Sequence, residues 1–253
     1  VKWINPDIPR GQVRDVALMV GEGGGLFALD RDAGRFLWAT PFPFDTPNFL
    51  ISDIDVRTGR TRLNEALILD PPGQRRTICF WNTKSYWPMA YHPGENALFV
   101  PYVDNCVDNS SPVPESENGP AVRAVRQGTP RPGSSPDQFA GLAKVNVETG
   151  EITRIYQGRA PGNGAVLATA GDLVFWGDLA GRFRAFDART GTVLWETTLG
   201  GTIQNSTITY AVDGRQYVAV LTGEGLMTGG LLEQAGLGEV PRRYNALYVF
   251  ALP

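Results

Sequence analysis

The residues of this sequence best suited to redox or metal chemistry are two cysteines and one histidine. Cys79 and Cys106 lie on either side of an apolar run, and residue types alone leave open whether they form one disulfide or remain two free thiols. His92 has no Cys-x-x-Cys pair with which to share a zinc ion, so the soft ligands that zinc needs are too few. We therefore expect no zinc site.

Oxygen ligands are grouped around the second cysteine. Asp104, Asn105 and Asp108 carry the carboxylate and amide oxygens that calcium prefers. Because these residues lie beside Cys106, we expect them to cap turns rather than to bind calcium.

A repeated strand-turn-strand pattern must position these candidates. The motif Ala-x-Asp-x-x-x-Gly-x-x-x-Trp begins at Ala28 and again at Ala185, and weaker copies surround Asp55 and Asn146. In each copy an alternating strand ends at Asp or Asn, whose side chain caps a tight turn, and Gly then takes the positive φ that closes the turn. The aromatic residue of the next strand can pack between adjacent sheets.

Successive short strands predict an all-β fold. Residues 172–177, 181–186, 192–195 and 216–221 are separated by turn signals, which is the pattern of a four-stranded blade and the start of another. At roughly 40 to 45 residues per blade, the chain supplies about four or five blades of a β-propeller. Helical periodicity is limited to one short turn within residues 231–237.

One long stretch, residues 107–138, interrupts the repeat. It is rich in Pro, Ser, Gly and Asn, and two alternatives stay open for it: a disordered surface loop, or an ordered excursion over one mouth of the propeller. No second domain is indicated, so we expect residues 1–253 to belong to one propeller domain with a long irregular loop at 107–138. An open arc of blades leaves its terminal faces uncovered, so the chain needs either to close into a small ring or to pair with a partner that contains the remaining blades.

Composition argues against two classes of partner. The 253 residues carry a net charge of −3 without a basic cluster, so nucleic-acid binding is not expected. No run approaches the roughly 18 apolar residues that a membrane span needs. The sequence begins at Val1 without an initiator Met or a signal peptide, and we expect a mature, processed or dissected chain.

The repeat resembles the tryptophan-docking motif of the PQQ-dependent (quinoprotein) alcohol dehydrogenases. The similarity runs from Ala168-Thr-Ala-Gly-Asp-Leu-Val-Phe175 through Leu194-Trp195 and Gln216-Tyr-Val-Ala-Val220 to Val249-Phe-Ala-Leu252. It implies β-propeller blades of four antiparallel strands, as part of an eight-bladed quinoprotein propeller of which this chain is the C-terminal half. The N-terminal half would be another segment or chain.

The resemblance also bears on the cysteines, because the larger quinoproteins place a structural disulfide around the segment that corresponds to residues 87–93. It implies that Cys79 and Cys106 are bonded to each other. Such a bond would stabilise the fold by about 3 to 4 kcal/mol in the chain-entropy model. Its persistence would indicate an oxidising compartment, periplasmic or secreted.

Three site residues follow from the first half of the resemblance. Arg31 corresponds to the basic residue that reaches the quinone oxygens of PQQ, where its guanidinium would stabilise negative charge as hydride arrives. A solvent-facing turn arginine is the alternative. Ser85 falls where the family has a PQQ-contacting Asn, which is a departure, and Tyr86 falls on the aromatic residue that follows it.

The second half of the resemblance adds three more. Asn163 stands in the place of a cofactor-contacting Trp, and its amide could contact a PQQ carboxylate; the alternative is a turn residue. Gly225 belongs to a glycine-rich approach to the cofactor or substrate pocket, where small residues admit a ligand closely. Leu226 replaces a frequent Trp and should widen this pocket. The catalytic Asp and the calcium ligands of the family have no counterpart here and are expected outside this chain.

The resemblance implies a PQQ- and calcium-dependent oxidation of an alcohol to an aldehyde or ketone, with the catalytic Asp in the missing N-terminal part. No heme-attachment Cys-x-x-Cys-His occurs, so electrons are expected to pass to an external acceptor such as cytochrome c. The alternative is a non-catalytic quinoprotein-like propeller that serves as a scaffold for protein interactions. Arg31 and the cysteine pair favour the enzyme, whereas Ser85, Asn163 and Leu226 favour the scaffold.

Overall fold

A computed structural model of the chain describes residues 3–9, 11–21, 25–41, 51–68, 71–79, 87–124, 126–225, 228–238 and 244–251. The predicted all-β character is confirmed. The strands are, in chain order, β1 (Trp3–Ile4), β2 (Val16–Gly21), β3 (Gly25–Asp30), β4 (Phe36–Thr40), β5 (Ile51–Ile54), β6 (Thr61–Leu63), β7 (Arg75–Ile78), β8 (Ala90–His92), β9 (Ala97–Val103), β10 (Asn105–Ser110), β11 (Arg126–Pro130), β12 (Ala140–Asn146), β13 (Ile152–Gly158), β14 (Leu167–Ala168), β15 (Leu173–Gly177), β16 (Arg182–Asp187), β17 (Val193–Thr198), β18 (Thr207–Val212), β19 (Arg215–Thr222) and β20 (Ala246–Ala251). Helical structure comprises α1 (Thr228–Gln234) and short 3₁₀ helices at Glu65–Leu67 and Pro136–Gln138.

The first of two compact units comprises Val1–Ser85 and Asp104–Arg131. It contains a four-stranded antiparallel sheet of order β1-β4-β3-β2, a hairpin of β5 and β6, and a three-stranded sheet of order β11-β10-β7. Trp3, Phe36 and Ile54 are buried in a shared core. The strands of this unit are therefore held by an apolar cluster as well as by their ladders.

Residues 107–138 are less irregular than their composition indicates. Strand β10 pairs with β7 on one side and β11 on the other, and an isolated bridge joins Val113 to Val122. The sequences of β10 and β11, NCVDNS and RQGTP, lack the apolar alternation that marks a strand, so sequence reasoning did not detect the pairing. The extent of the propeller domain stays a prediction.

The disulfide expected from the resemblance is confirmed. Cys79, directly after β7, is bonded to Cys106 in β10, with an S–S distance of 2.08 Å. Both residues are buried. The bond therefore joins two neighbouring strands of the three-stranded sheet.

The carboxylates beside Cys106 are paired with arginines. Asp104 accepts a hydrogen bond of 2.6 Å from Arg131, and Asp108 forms a bidentate pair with Arg75. The hydrogen bonds from Arg75 lower the pKa of the Asp108 carboxyl. The turn-capping expectation is wrong for these two carboxylates, because their partners are distant in sequence and cannot be read from local spacing.

The second unit comprises Tyr86–Val103 and Pro132–Pro253. It contains two four-stranded antiparallel sheets, of order β13-β12-β9-β8 and β14-β15-β16-β17, and a three-stranded sheet of order β18-β19-β20. The strands predicted at 172–177, 181–186 and 192–195 are β15, β16 and β17 of one sheet, whereas the strand at 216–221 is β19 of the next. Strand β14 lies beside β8 and β18, so the three sheets contact one another through these edge strands.

All four copies of the repeat form the predicted turn. The side-chain oxygen of each turn's first residue accepts the backbone N–H two residues further on, at 2.9 to 3.1 Å, in the copies at Asp30, Asp55, Asn146 and Asp187. The glycine four residues after each of them has a φ between 64° and 76°, at Gly34, Gly59, Gly150 and Gly191. A residue with a Cβ is strained in that conformation, which explains why the motif carries glycine there.

The aromatic residues that follow the turns pack between sheets, as predicted. In the second unit the ring of Trp195 in β17 meets Phe250 in β20 with centroids 5.2 Å apart. The ring of Tyr156 in β13 meets Trp176 and Phe186 of the next sheet at 6.0 and 5.3 Å. Each contact joins one sheet to its neighbour.

A search of the described residues finds no helix with the length and apolar character that a membrane span requires.

Candidate functional site

The structure brings the loop that carries Asn163 and the loop that carries Gly225 against the same segment, residues 203–205. Both belong to the second unit. Arg31 belongs to the first unit. The other three predicted site residues lie outside the described residues: Ser85, Tyr86 and Leu226.

The loop that carries Asn163 is pressed onto residues 203–205. A Cβ added at Gly164 would lie 3.3 Å from the Cα of Gln204 and 3.2 Å from the carbonyl oxygen of Asn205. The backbone N–H of Ala165 donates to that same carbonyl at 3.3 Å. Glycine at 164 therefore allows the close approach of the two backbones.

Asn163 is the least satisfied polar side chain of this loop. The residue is only 2% exposed, and its Oδ1 has no hydrogen-bond partner among the residues that the structure describes. Leaving a buried polar atom unpaired costs about 1 to 3 kcal/mol. A ligand or water that pairs with this amide would recover that free energy.

The loop that carries Gly225 is held by a closed set of hydrogen bonds. The side-chain amide of Gln204 donates to the Gly223 carbonyl at 2.9 Å and accepts from the Thr228 hydroxyl at 3.0 Å. The Gly225 N–H donates to that hydroxyl at 3.1 Å. Thr202 donates a second hydrogen bond, of 2.6 Å, to the Gly223 carbonyl.

Gly225 has no room for a side chain, because an added Cβ would lie 2.6 Å from Nε2 of Gln204. The glycine-rich approach expected from the sequence is thus a loop whose backbone rests directly on a side-chain amide.

A buried ion pair anchors the Asn163 loop and the segment 203–205. Asp178 pairs with Arg184 at 2.9 Å, and both side chains are only 2% exposed. The turn that Asp178 begins bonds to the Asn163 loop and to the segment 203–205: the Leu179 N–H donates to the Pro161 carbonyl at 2.7 Å, and the Ile203 N–H donates to the Asp178 carbonyl at 3.1 Å. Burial raises the pKa of the Asp178 carboxyl, and the Arg184 guanidinium opposes that rise.

Arg31 lies in the turn after β3, with 63% of its side chain exposed. Its guanidinium donates to Asp15 at 2.7 Å. Surface ion pairs of this kind contribute at most about 1 kcal/mol to stability. The role of Arg31 toward a cofactor stays a prediction.

Sequence reasoning missed the residues that hold the glycine loop, Gln204 and Thr228, and the buried pair of Asp178 and Arg184. The detectable signal was the run Gly200-Gly-Thr-Ile-Gln-Asn205, which is polar and glycine-rich between two strands. Such a run marks a backbone that is approached closely by other chain segments.

Comparison with known proteins identifies relatives of the whole chain. The family described as "PQQ: Glucose/ethanol/alcohol dehydrogenase, beta-propeller domain" matches residues 139–218. Quinohemoprotein alcohol dehydrogenase ADH-IIG of Pseudomonas putida is 26% identical over 90% of this chain and 34% of its own length. The 1-butanol dehydrogenase (cytochrome c) of Thauera butanivorans is 29% identical over 96% of this chain and 35% of its own length.

A solved structure, a europium-containing methanol dehydrogenase, superposes with a TM-score of 0.82 at 25% identity. The alignment covers 98% of this chain and 46% of that one. The fold of the chain is therefore similar to that of this methanol dehydrogenase.

The resemblance found in the sequence is confirmed, and the chain is a relative of the quinoprotein alcohol dehydrogenases. It spans about a third of the length of the curated relatives named above.

Proposed function

We propose that this chain forms part of a PQQ-dependent dehydrogenase that oxidises an alcohol to an aldehyde or ketone. The observation that carries the proposal is the buried Asn163, whose Oδ1 lacks a partner among the described residues, in a loop that packs on the same segment 203–205 as the glycine loop held by Gln204. The chain's relatives include dehydrogenases named for ethanol, 1-butanol and methanol. When bound, PQQ supplies the hydride acceptor for such a reaction.

The residues of the second unit fit this cofactor. PQQ carries carboxylates and a ring N–H, and an amide offers both a donor and an acceptor whose positions exchange when the group is turned over. Asn163 can therefore serve a carboxylate through its NH₂ group or a ring N–H through Oδ1. Gly225 leaves space for a planar ligand on its open side, since the residue is exposed.

We assign Arg31 the role of electrostatic helper, as the resemblance implies. A guanidinium near the quinone oxygens would stabilise the negative charge that develops there. In the structure this side chain is paired with Asp15, so the proposal requires Arg31 to leave or share that pair. Ser85, Tyr86 and Leu226 are proposed as further pocket residues on the resemblance alone.

The metal and the catalytic Asp are proposed to lie outside this chain. The resemblance implies calcium, whereas one solved relative is named for europium and one curated relative for lanthanide dependence. Reconstitution of the complete protein with calcium and, separately, with a lanthanide would identify the metal. We expect ligands that are all oxygen atoms, as both kinds of hard cation require.

The last sheet of the second unit is proposed to pack against a blade of another segment or chain. Its outer face exposes Ile208, Leu247 and Val249, whereas its inner face is buried against β15 and β16. An external electron acceptor such as cytochrome c is proposed as the second partner, because the Thauera relative is named for it. The buried disulfide supports an oxidising compartment, which we propose is the periplasm or the exterior.

A PQQ titration of the complete protein, followed by quenching of tryptophan fluorescence, tests the site. We expect Asn163→Ala to weaken PQQ binding by roughly tenfold, the effect of one lost buried hydrogen bond. The matched control is Asn96→Ala, an asparagine at a turn of the same unit. Unchanged affinity in Asn163→Ala would mean that the buried amide pairs with water and not with PQQ.

The competing function is a non-catalytic scaffold. It predicts that the complete, folded protein binds no PQQ with or without metal. The same titration therefore separates the two functions.

A further inference from the structure

We propose that Gln204 and Thr228 are positioning residues that hold the backbone of Gly223–Gly225 against the ligand. This inference rests on the proposed function, because it concerns the distance between that loop and bound PQQ. Neither residue is expected to touch the reacting atoms. Their effect would be exerted through the loop backbone.

First, the two side chains form a chain of hydrogen bonds, called the relay below, that begins and ends on the backbone of the glycine loop. Thr228 donates to Gln204 and accepts from the Gly225 N–H, while Gln204 donates to the Gly223 carbonyl. A hydroxyl followed by a carboxamide can satisfy this pattern in one orientation only, since each group acts once as donor and once as acceptor. The relay therefore fixes the orientation of the Gln204 amide.

The second step is that both ends of the relay are anchored. Thr228 is fully buried at the start of α1, and the same helix places Leu231 and Leu232 in a core cluster with Leu179. Gln204 follows Ile203, whose N–H is bonded to the turn of the buried Asp178. The glycine loop is thus tied to two rigid parts of the second unit.

The third step is that most of this loop lacks side chains. Gly223 and Gly225 have none, and a Cβ at Gly223 would lie 2.4 Å from Oδ1 of Asn245. Glycine carries the largest conformational freedom of any residue, so a loop of this kind needs external hydrogen bonds to keep one conformation. Gln204, Thr202 and Thr228 supply them.

The test compares three variants of the complete protein. Thr228→Val removes both hydrogen bonds of the hydroxyl at nearly constant shape, and Thr228→Ser retains the hydroxyl. Thr209→Val is the matched control, because Thr209 forms an analogous pair with Gln216 on the β18–β19 ladder at a distance from the glycine loop.

We expect amide hydrogen exchange at Gly225 to quicken about tenfold in Thr228→Val and to stay near the original rate in Thr228→Ser and Thr209→Val. PQQ affinity should weaken by about tenfold in Thr228→Val alone, matching one or two lost hydrogen bonds. When PQQ is scarce, weaker PQQ binding leaves fewer protein molecules loaded. The kcat should therefore fall by a larger factor than that by which the KM for the alcohol rises. Rescue by serine identifies the hydroxyl as the cause.

Three results would overturn the inference, and they are distinguishable. If exchange at Gly225 quickens and PQQ affinity is unchanged in Thr228→Val, the loop does not face the cofactor, and the proposed function stands without it. If the unaltered complete protein binds no PQQ, the proposed function fails together with the inference. Exchange that is unchanged in Thr228→Val would show that the relay does not hold the loop.

Discussion

Asn163 is a residue whose surroundings leave a hydrogen-bonding group for a ligand to complete. Its amide is almost fully buried, and its oxygen is unpaired among the described residues, although the loop around it is closely packed. Buried polar groups in folded proteins nearly always have partners, and an exception calls for a specific cause. A cofactor that completes this site would supply the cause.

Arg31 offers the sharpest test at a single residue, because its surface partner Asp15 provides a matched control. We predict that Arg31→Ala lowers turnover of the complete, PQQ-loaded protein about a hundredfold to a thousandfold, the effect of losing an electrostatic donor. Asp15→Ala breaks the same ion pair and should leave turnover nearly unchanged. Dye-linked alcohol oxidation measures both variants.

Arg31→Lys should recover part of the activity, because lysine keeps the charge but lacks the planar fork. If Arg31→Ala and Asp15→Ala behave alike, with turnover close to that of the unaltered protein, Arg31 is only a turn residue of the surface.

The capping aspartates predict a pH dependence of stability. The backbone N–H of Thr190 lowers the pKa of the Asp187 carboxyl, as Ala33 does for Asp30 and Arg57 for Asp55. A carboxyl with a lowered folded-state pKa stabilises the fold above its ordinary value of 3.8 and loses this contribution as pH falls through the folded-state pKa.

We therefore predict that the free energy of unfolding decreases below about pH 4 and that Asp187→Asn makes this decrease shallower. The turn itself should survive, because Asn146 caps the same turn in another copy with a neutral amide. Urea unfolding at several pH values checks this. An identical acid slope for both proteins would contradict the capping account.

At the scale of elements, the turn glycines affect both the hairpins in which they lie and the packing between sheets. Gly191 has a φ of 75°, and a Cβ there would lie 2.5 Å from Cβ of Ile155 and 2.8 Å from its carbonyl oxygen, both in β13. Gly214, in the β18–β19 hairpin, has a φ of 76° with nothing within 4 Å of the added Cβ. A comparison of substitutions at these two positions therefore separates the energetic cost of backbone strain from that of steric contact.

We predict that Gly214→Ala costs about 1 to 2 kcal/mol, the cost of a Cβ at positive φ. Gly191→Ala should cost roughly 1 to 3 kcal/mol more, because the neighbouring sheet must also move. Chemical denaturation of the two variants measures the difference. Equal losses would show that the turn at Gly191 is not pressed onto β13.

Local chemistry explains which elements were predictable from the sequence. The Asp-to-Gly turns and the strands β15 to β17 follow from residue types within short windows, and the short helical turn expected within residues 231–237 overlaps α1 (Thr228–Gln234). The pairing of β10 with β11 and the relay of Gln204 with Thr228 depend on contacts between residues that are about twenty or more positions apart in the sequence. No periodic signal reports such contacts, so they required the structure.

At the scale of the whole molecule, one face of the last sheet exposes apolar residues to which the proposed partner segment could bind. Ile208, Ala219 and Val249 stand opposite one another across β18, β19 and β20, with Leu221 opposite Leu247. The four large aliphatic residues among these, Ile208, Leu221, Leu247 and Val249, are between 45% and 62% exposed. Contiguous apolar surface of this kind marks an interaction site.

We predict that the 253-residue chain expressed alone oligomerises or aggregates through this face. The double variant Ile208→Lys, Val249→Lys should shift the chain toward a monomer, because two charges would then oppose burial of the sheet. Val122→Lys, at an exposed apolar residue of the first unit, is the control and should not. A monodisperse monomer of the unaltered chain in sedimentation velocity would rule out the need for a covering blade.

The most direct measurement is dye-linked alcohol oxidation by the complete protein, purified without cofactor and then supplied with PQQ and metal together or separately. We predict oxidation only when both are present, with the aldehyde or ketone formed in proportion to the dye reduced. A folded complete protein that binds no PQQ and oxidises none of a series of primary and secondary alcohols would contradict the proposed function and favour the scaffold.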